Sequence, residues 1–242
     1  MKIIEKLNAK QDIYGGKPVT IAFLGDSVTQ GCFECYIKND GGIETVYDYK
    51  SAYSTRLREM LNILYPSVQI NIINSGISGD GTENGKKRIE RDILPFSPDL
   101  VVVSYGLNDA CSGIEAIDRY AENLKCIFNK ASENGAEIIF LTQNAMNIGK
   151  SPFLKDEKLI YTAEITANNQ NNGVMKAYMD AAKKVALECG VKVCDIYPMW
   201  EKLISGGVDT TELLANKINH PIREIHCYMA IKLIETMFEQ VS

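Results

Sequence analysis

The chain has 242 residues, 45% of them hydrophobic and 24% charged, a composition that supports a continuous buried core and excludes a disordered chain. Its net charge of −5 excludes a general nucleic-acid binder, which needs a basic face to meet phosphates. No stretch approaches the ~18 consecutive apolar residues of a membrane span, so neither nucleic acid nor membrane is an expected partner.

The N-terminal MKIIEKLNAKQDIYGG breaks its only apolar stretch with lysine and glutamate, so it lacks the h-region of a secretory signal, and a cytoplasmic location is expected. Five continuous apolar runs then read as buried strands: VTIAFL (19–24), VQINII (68–73), LVVVSY (100–105), AEIIFL (136–141) and VKVCDI (191–196). Segments with one apolar stripe at helical spacing lie between and after them. The stripes are Tyr53/Leu57/Met60/Leu61/Leu64, Ile117/Tyr120/Leu124/Ile127/Phe128, Val174/Tyr178/Ala181/Ala182/Val185/Cys189, and the stretch from Ile225 to Phe238. Alternating strands and helices predict right-handed crossovers and a three-layer α/β/α sandwich around a parallel sheet. With no repeat and no Pro/Ser-rich linker, residues 1–242 are expected to form a single domain.

Two connections are longer than usual, Thr29 to Lys50 and Gln143 to about Asn172, and both should emerge at the carboxyl ends of strands, where ligands bind. NNQNNG (168–173) reads as a turn-rich junction. Seven scattered cysteines suit reduced thiols rather than a disulfide frame, and Cys32 and Cys35 read as two loop cysteines because no further Cys/His pair completes a zinc set.

The strongest chemical signal is GDSVTQG (25–31), where a buried strand runs directly into Ser27. A serine there can face substrate while neighbouring backbone N–H groups are free to bind an oxyanion; Asp26 and Ser27 can equally be caps of a turn. NSGISGDGT (74–82), YGLND (105–109) and INHP (218–221) follow, the first two at strand ends and the third in the last loop. Gly79 lets the backbone come close to a ligand, Asn108 offers a side-chain amide, and with the Ser27 N–H they make three donors for one developing negative charge. The chain has two histidines. His220 lies in a loop before a proline and is the expected general base; His226 falls inside a helical pattern, where a lone histidine packs or caps.

These four blocks, in this order, resemble the SGNH hydrolases, also called the GDSL esterase/lipase family. The resemblance runs from about Val19 to Ala230 and implies a flavodoxin-like fold with a central five-stranded parallel sheet. It implies Ser27 as nucleophile, Ser27, Gly79 and Asn108 as oxyanion hole, and His220 as base. One position departs from the pattern: where the family commonly has an aspartate three residues before the histidine, this chain has Lys217. Its side chain is expected to point away to solvent, with the second imidazole nitrogen held by a backbone carbonyl or a distant carboxylate. Asp195 is expected to be structural, and Asp26, Asp80 and Asp109 to fix loop geometry.

The resulting expectation is an esterase for a small acyl ester, acting through an acyl-enzyme on Ser27 without metal or organic cofactor. Acetyl on a carbohydrate is one candidate substrate. Tyr36, Tyr47, Tyr49 and Tyr53, set among Glu34, Asp40, Glu44 and Asp48, suit sugar recognition, or equally a solvated loop whose tyrosines pack on the domain. An acyltransferase using the same site and a catalytically impaired binding module, for which Lys217 is the support, stand as alternatives. A flavodoxin-type redox protein would need a phosphate-binding first loop, which GDSVTQGCFECY does not resemble.

Overall fold

A computed structural model of the chain describes residues 1–9 and 16–239. In chain order the elements are α1 (Lys2–Asn8), β1 (Val19–Gly25), α2 (Ser27–Gln30), β2 (Cys32–Ile37), β3 (Ile43–Tyr47), α3 (Tyr53–Leu64), β4 (Ile70–Gly76), α4 (Thr82–Asp92), β5 (Leu100–Ser104), α5 (Leu107–Ala110), α6 (Ile117–Glu133), β6 (Glu137–Leu141), α7 (Glu157–Asn171), α8 (Val174–Glu188), β7 (Lys192–Cys194), α9 (Tyr197–Ser205) and α10 (Arg223–Phe238).

Five strands pair in parallel in the order β4-β1-β5-β6-β7. Strands β1 and β5 are buried along their whole length, which is why their sequences run apolar without alternation. Helix α3 packs on α10, while α6 lies between α4 and α8, so two helical layers cover the sheet. The predicted sandwich and all five predicted strands are present. The chain reverses its strand order beside β1, and the carboxyl ends of β1 and β5 flank that switch point, the place where such sheets bind ligands.

Several boundaries differ from the sequence reading. Strand β4 starts later and continues through Asn74–Gly76, because its ladder with β1 is made by backbone groups and does not need apolar side chains. At the sheet edge, β7 is only Lys192–Cys194, since Ile196 N–H leaves the ladder for Thr142 Oγ at 2.8 Å. The long Thr29–Lys50 connection contains the antiparallel hairpin β2–β3, so Cys32 and Cys35 sit on a strand and not in a loop. The Gln143–Asn172 connection contains α7, which absorbs Asn168–Asn171 of the expected turn. The side chains of this stretch find partners on the domain: Asn169 donates to the Ala110 carbonyl and Gln170 to the Tyr197 hydroxyl. Among the described residues, no helix is long and apolar enough to cross a membrane.

Candidate active site

Ser27 is the first residue of α2, immediately beyond the end of β1, and is 3% exposed. Asp26 makes that turn. Its Oδ1 accepts the Val28 N–H at 3.0 Å and its Oδ2 accepts Gln143 Nε2–H at 2.9 Å, while burial pushes its carboxyl up to about 7 against the lowering effect of the Val28 bond. The capping role therefore belongs to Asp26, and Ser27 Oγ engages no partner among the described residues. The Ser27 N–H, at a first helical position, has no intrahelical acceptor. A Cβ on Gly76 would fall 2.2 Å from Gln30 N, so only glycine lets α2 lie across the end of β4.

Gly79 lies in the turn after β4 at φ +78°, a conformation glycine adopts without strain. That turn is tied down by the Ile77 N–H to the Gly25 carbonyl at 3.1 Å and the Ser78 N–H to Gln30 Oε1 at 2.7 Å. Asn108, in α5 just past β5, donates one amide hydrogen to the Asp80 carbonyl at 2.7 Å, which fixes the amide plane and leaves its second hydrogen free. Beneath these turns lies Arg88 of α4, 7% exposed. Its guanidinium donates to the Gly25 carbonyl at 3.0 Å, the Ser75 carbonyl at 2.6 Å, Asp80 Oδ2 at 2.7 Å and the Tyr105 hydroxyl at 2.8 Å, joining the ends of β1, β4 and β5. Asp109 accepts Thr82 N–H at 3.0 Å and Thr82 Oγ–H at 2.5 Å, holding the start of α4. Asp26 and Asp109 thus bond backbone N–H groups as expected; Asp80 instead engages the Arg88 and Tyr105 side chains.

His220 is 5% exposed, in a loop built on one side chain. Asn216 Oδ1 accepts the backbone N–H groups of Ile218, Asn219 and His220 at 3.0, 2.9 and 2.9 Å. His220 Nδ1 meets the Phe33 carbonyl of β2 at 2.9 Å, so this nitrogen carries the hydrogen and Nε2 is the free base. Burial lowers the imidazole pKa to about 4, opposed by the Phe33 bond. Lys217 adopts φ +59° and bonds Glu212 Oε2 at 2.8 Å and the Glu212 carbonyl at 3.3 Å, away from the imidazole. The backbone carbonyl thus takes the place where a triad aspartate would sit. It follows that Lys217→Ala leaves kcat nearly unchanged in a steady-state assay, and that Lys217→Asp brings no large gain because Nδ1 is already engaged. A kcat loss of roughly 100-fold in folded Lys217→Ala would instead make the ammonium a participant.

His226 is fully buried in α10 and accepts the Tyr53 N–H through Nδ1 at 3.1 Å, capping the start of α3; burial lowers its pKa to about 3. Asp195 bonds Thr142 Oγ at 2.9 Å and Lys183 Nζ at 3.3 Å, a structural setting. Tyr53 is core, its hydroxyl 2.8 Å from Thr29 Oγ, while Tyr36, Tyr47 and Tyr49 are exposed and Tyr47 stacks on Tyr49. All seven cysteines are free thiols.

Ser27, Gly79, Asn108 and His220 line one cavity of about 190 Å³, whose further walls include Ile43, Glu44, Leu159 and Ile218. A second cavity of about 300 Å³ begins at the same Gly79 and Asn108 and is lined by polar groups such as Asn84, Asp109, Arg119 and Asn123. Sequence reasoning did not find Phe33, Arg88 or Asn216. The first acts through a backbone atom, the second lies in a strongly polar helix, and only the asparagine of NKINHP, a turn-forming residue close before the histidine, carried a readable signal.

Residues 23–226 match the GDSL-like lipase/acylhydrolase family. An acetylxylan esterase of Geobacillus stearothermophilus is 32% identical over 94 residues, 39% of this chain and 41% of that protein, so the match spans less than half the relative's length. The uncharacterized lipoprotein YqeF of Bacillus subtilis (strain 168) is 25% identical over 207 residues, 80% of this chain and 76% of that protein. Among solved structures, an acetylxylan esterase from G. stearothermophilus superposes with a TM-score of 0.65 at 20% identity, covering 93% of this chain and 96% of that one. A two-domain esterase active on acetylated mannans superposes with a TM-score of 0.68 at 18% identity, covering 99% of this chain and 53% of that one.

Proposed function

Because the chain belongs to the GDSL-like lipase/acylhydrolase family, we propose that it is a serine esterase that removes a short acyl group, with acetyl on a carbohydrate hydroxyl as the substrate class. The observation that carries the reading is the convergence of Ser27, His220, Gly79 and Asn108 on one small cavity, with the His220 ring held by the Phe33 carbonyl. Ser27 Oγ attacks the ester carbonyl carbon as His220 Nε2 takes its proton. The Ser27 N–H, the Gly79 N–H and the free Asn108 amide hydrogen are the donors for the oxyanion. Collapse expels the alcohol, which takes the proton from Nε2, and water then releases the acid from Ser27 by the same route.

A cavity of about 190 Å³ suits a short acyl chain. The polar cavity that shares Gly79 and Asn108 with it suits a hydroxylated alcohol, so an ester carbonyl held by those two residues borders a compartment for each half. The names of the relatives active on acetylated xylan and mannan favour the same class.

A fluorophosphonate probe should label Ser27, and a panel of acetyl, butyryl and longer p-nitrophenyl esters beside acetylated oligosaccharides should show acetyl preference. Labelling at another residue, or no turnover of any ester, would reject the reading. Asn108→Ala should lower kcat about 10²- to 10³-fold with little change in KM, as loss of one oxyanion donor does. An effect confined to KM would mean that Asn108 binds ground-state substrate instead.

A further inference from the structure

The carbonyl that orients His220 belongs to a residue out of register. Cys32 pairs with Tyr47 and Cys35 with Thr45, so β2 spends one residue more than β3 over this stretch. Such a bulge leaves a residue out of the ladder and turns its polar groups aside, and bulges are frequent next to active sites. Here the freed carbonyl is that of Phe33, and it meets His220 Nδ1. A bulge on a two-stranded hairpin does not by itself fix where that carbonyl aims.

Arg223 supplies the aim. It is the first residue of α10, three positions after His220. Its Nε donates to Asp48 Oδ2 at 2.8 Å, and Nη1 and Nη2 donate to the two oxygens of Glu34 at 2.6 and 3.2 Å. The guanidinium carbon lies 4.3 Å above the Phe33 ring, and the His226 ring packs against the same phenyl at 4.8 Å. Glu34 sits in the bulge beside Phe33, and Asp48 follows β3, tied back by its N–H to the Gly31 carbonyl at 2.9 Å and by its Oδ1 to the Ser51 N–H at 3.2 Å. One guanidinium therefore fastens the His220 segment to both strands of the hairpin. The ion pairs hold the Glu34 and Asp48 carboxyls below their usual range, with the hydrogen bonds from Arg223 as the leading cause.

We propose that Arg223 is a positioning residue for the reaction, clamping Glu34, Asp48 and the Phe33 ring so that the Phe33 carbonyl stays on His220 Nδ1 and the imidazole keeps its place in the cavity it shares with Ser27. Acting through the Phe33 carbonyl, the clamp supplies the orientation that an aspartate in the histidine loop gives in the usual triad, without that aspartate's negative charge. The inference rests on the reading of Ser27 and His220 as nucleophile and base. The side chains of Arg223, Glu34 and Asp48 keep 36%, 44% and 28% of their exposure, and exposed pairs add little to stability, so the clamp acts on geometry more than on folding. Lysine is a poor substitute because an ammonium cannot make the planar fork to Glu34 and reach Asp48 while covering the ring.

Arg223→Met, Arg223→Lys and the double change Glu34→Gln with Asp48→Asn test this, with Lys232→Met as control because it removes the exposed Lys232–Glu235 pair from the same helix. In Arg223→Met, kcat for an acetyl ester should fall roughly 10- to 100-fold, as an imidazole misplaced by a fraction of an ångström to one ångström would cause. KM should move by less than about threefold, Tm should stay near wild type, and the His220 Nδ1–H proton resonance should weaken or vanish. Arg223→Lys should fall between, the Glu34/Asp48 variant should resemble Arg223→Met, and Lys232→Met should match wild type. A folded Arg223→Met with wild-type kcat and an intact Nδ1–H resonance overturns the clamp, as does a loss confined to KM. Should Arg223→Met fail to fold, wild-type kcat in the Glu34/Asp48 variant overturns it equally. Wild-type protein that neither hydrolyses esters nor takes a fluorophosphonate at Ser27 rejects the esterase reading instead, and the Nδ1–H resonance still decides the clamp.

Discussion

Ser27→Ala is expected to lower kcat for ester hydrolysis by on the order of 10⁶-fold, the loss that follows when a nucleophilic serine is removed from a catalytic unit. The fold should not change. The cap on α2 is the Asp26 carboxylate, Ser27 Oγ bonds nothing among the described residues, and alanine is a good helix former at that position. The Ser27, Gly79 and Asn108 donors survive the substitution, so a residual rate over water of roughly 10³- to 10⁴-fold should remain. The checks are kcat, Tm, and disappearance of the fluorophosphonate adduct by mass spectrometry. A folded variant that keeps more than about a tenth of wild-type kcat means that Ser27 is not the nucleophile.

His220→Ala should be of similar size, since nucleophile and base act as a unit and removing either loses most of what both provide. His226→Ala should leave kcat largely intact in whatever fraction folds and should lower Tm, because it removes the acceptor of the Tyr53 N–H and a buried ring packed on Phe33 and Tyr53. Equal loss of specific activity in the two folded variants would undo the assignment. The pH profile carries a second test of His220. Its base form is neutral and burial lowers its pKa to about 4, so the acid limb of kcat/KM should fall near pH 4, with a plateau above it. A limb near 6.5 would mean an imidazole far better solvated than this one.

Stability must be followed over the same range. His220 and His226 have folded pKa values of about 4 and about 3, below the ordinary 6.5, so the unfolded chain binds more protons under mild acid and these groups make stability fall as pH drops below about 6.5. Asp26, with a folded value of about 7 against 3.8, acts with the opposite sign: its contribution is present at low pH and lost as pH rises through 7.

What the sequence by itself determined is the part of the protein that repeats a local rule. Continuous apolar runs marked β1 and β5 because a central parallel strand is buried on both faces, and apolar stripes marked α3, α6, α8 and α10 because each helix buries one side. The candidate residues Ser27, Gly79, Asn108 and His220 stood out because each follows or interrupts an element in a short block of unusual residues, and the fold brings them to one cavity. The hairpin and α7 were not, since CFECYI and EKLIYTAEITANNQN carry no clean period and gain their order from the site they wall. Only the tertiary structure decided what holds the imidazole. The Phe33 carbonyl is 187 positions from His220 in the chain and, being a backbone atom, exists in every residue and leaves no trace in side-chain identity. The Lys217 ammonium, expected in solvent, is instead paired with Glu212, its side chain only 20% exposed, and Arg223 reached Glu34 and Asp48 across 189 and 175 positions, a closure that only folding can bring about.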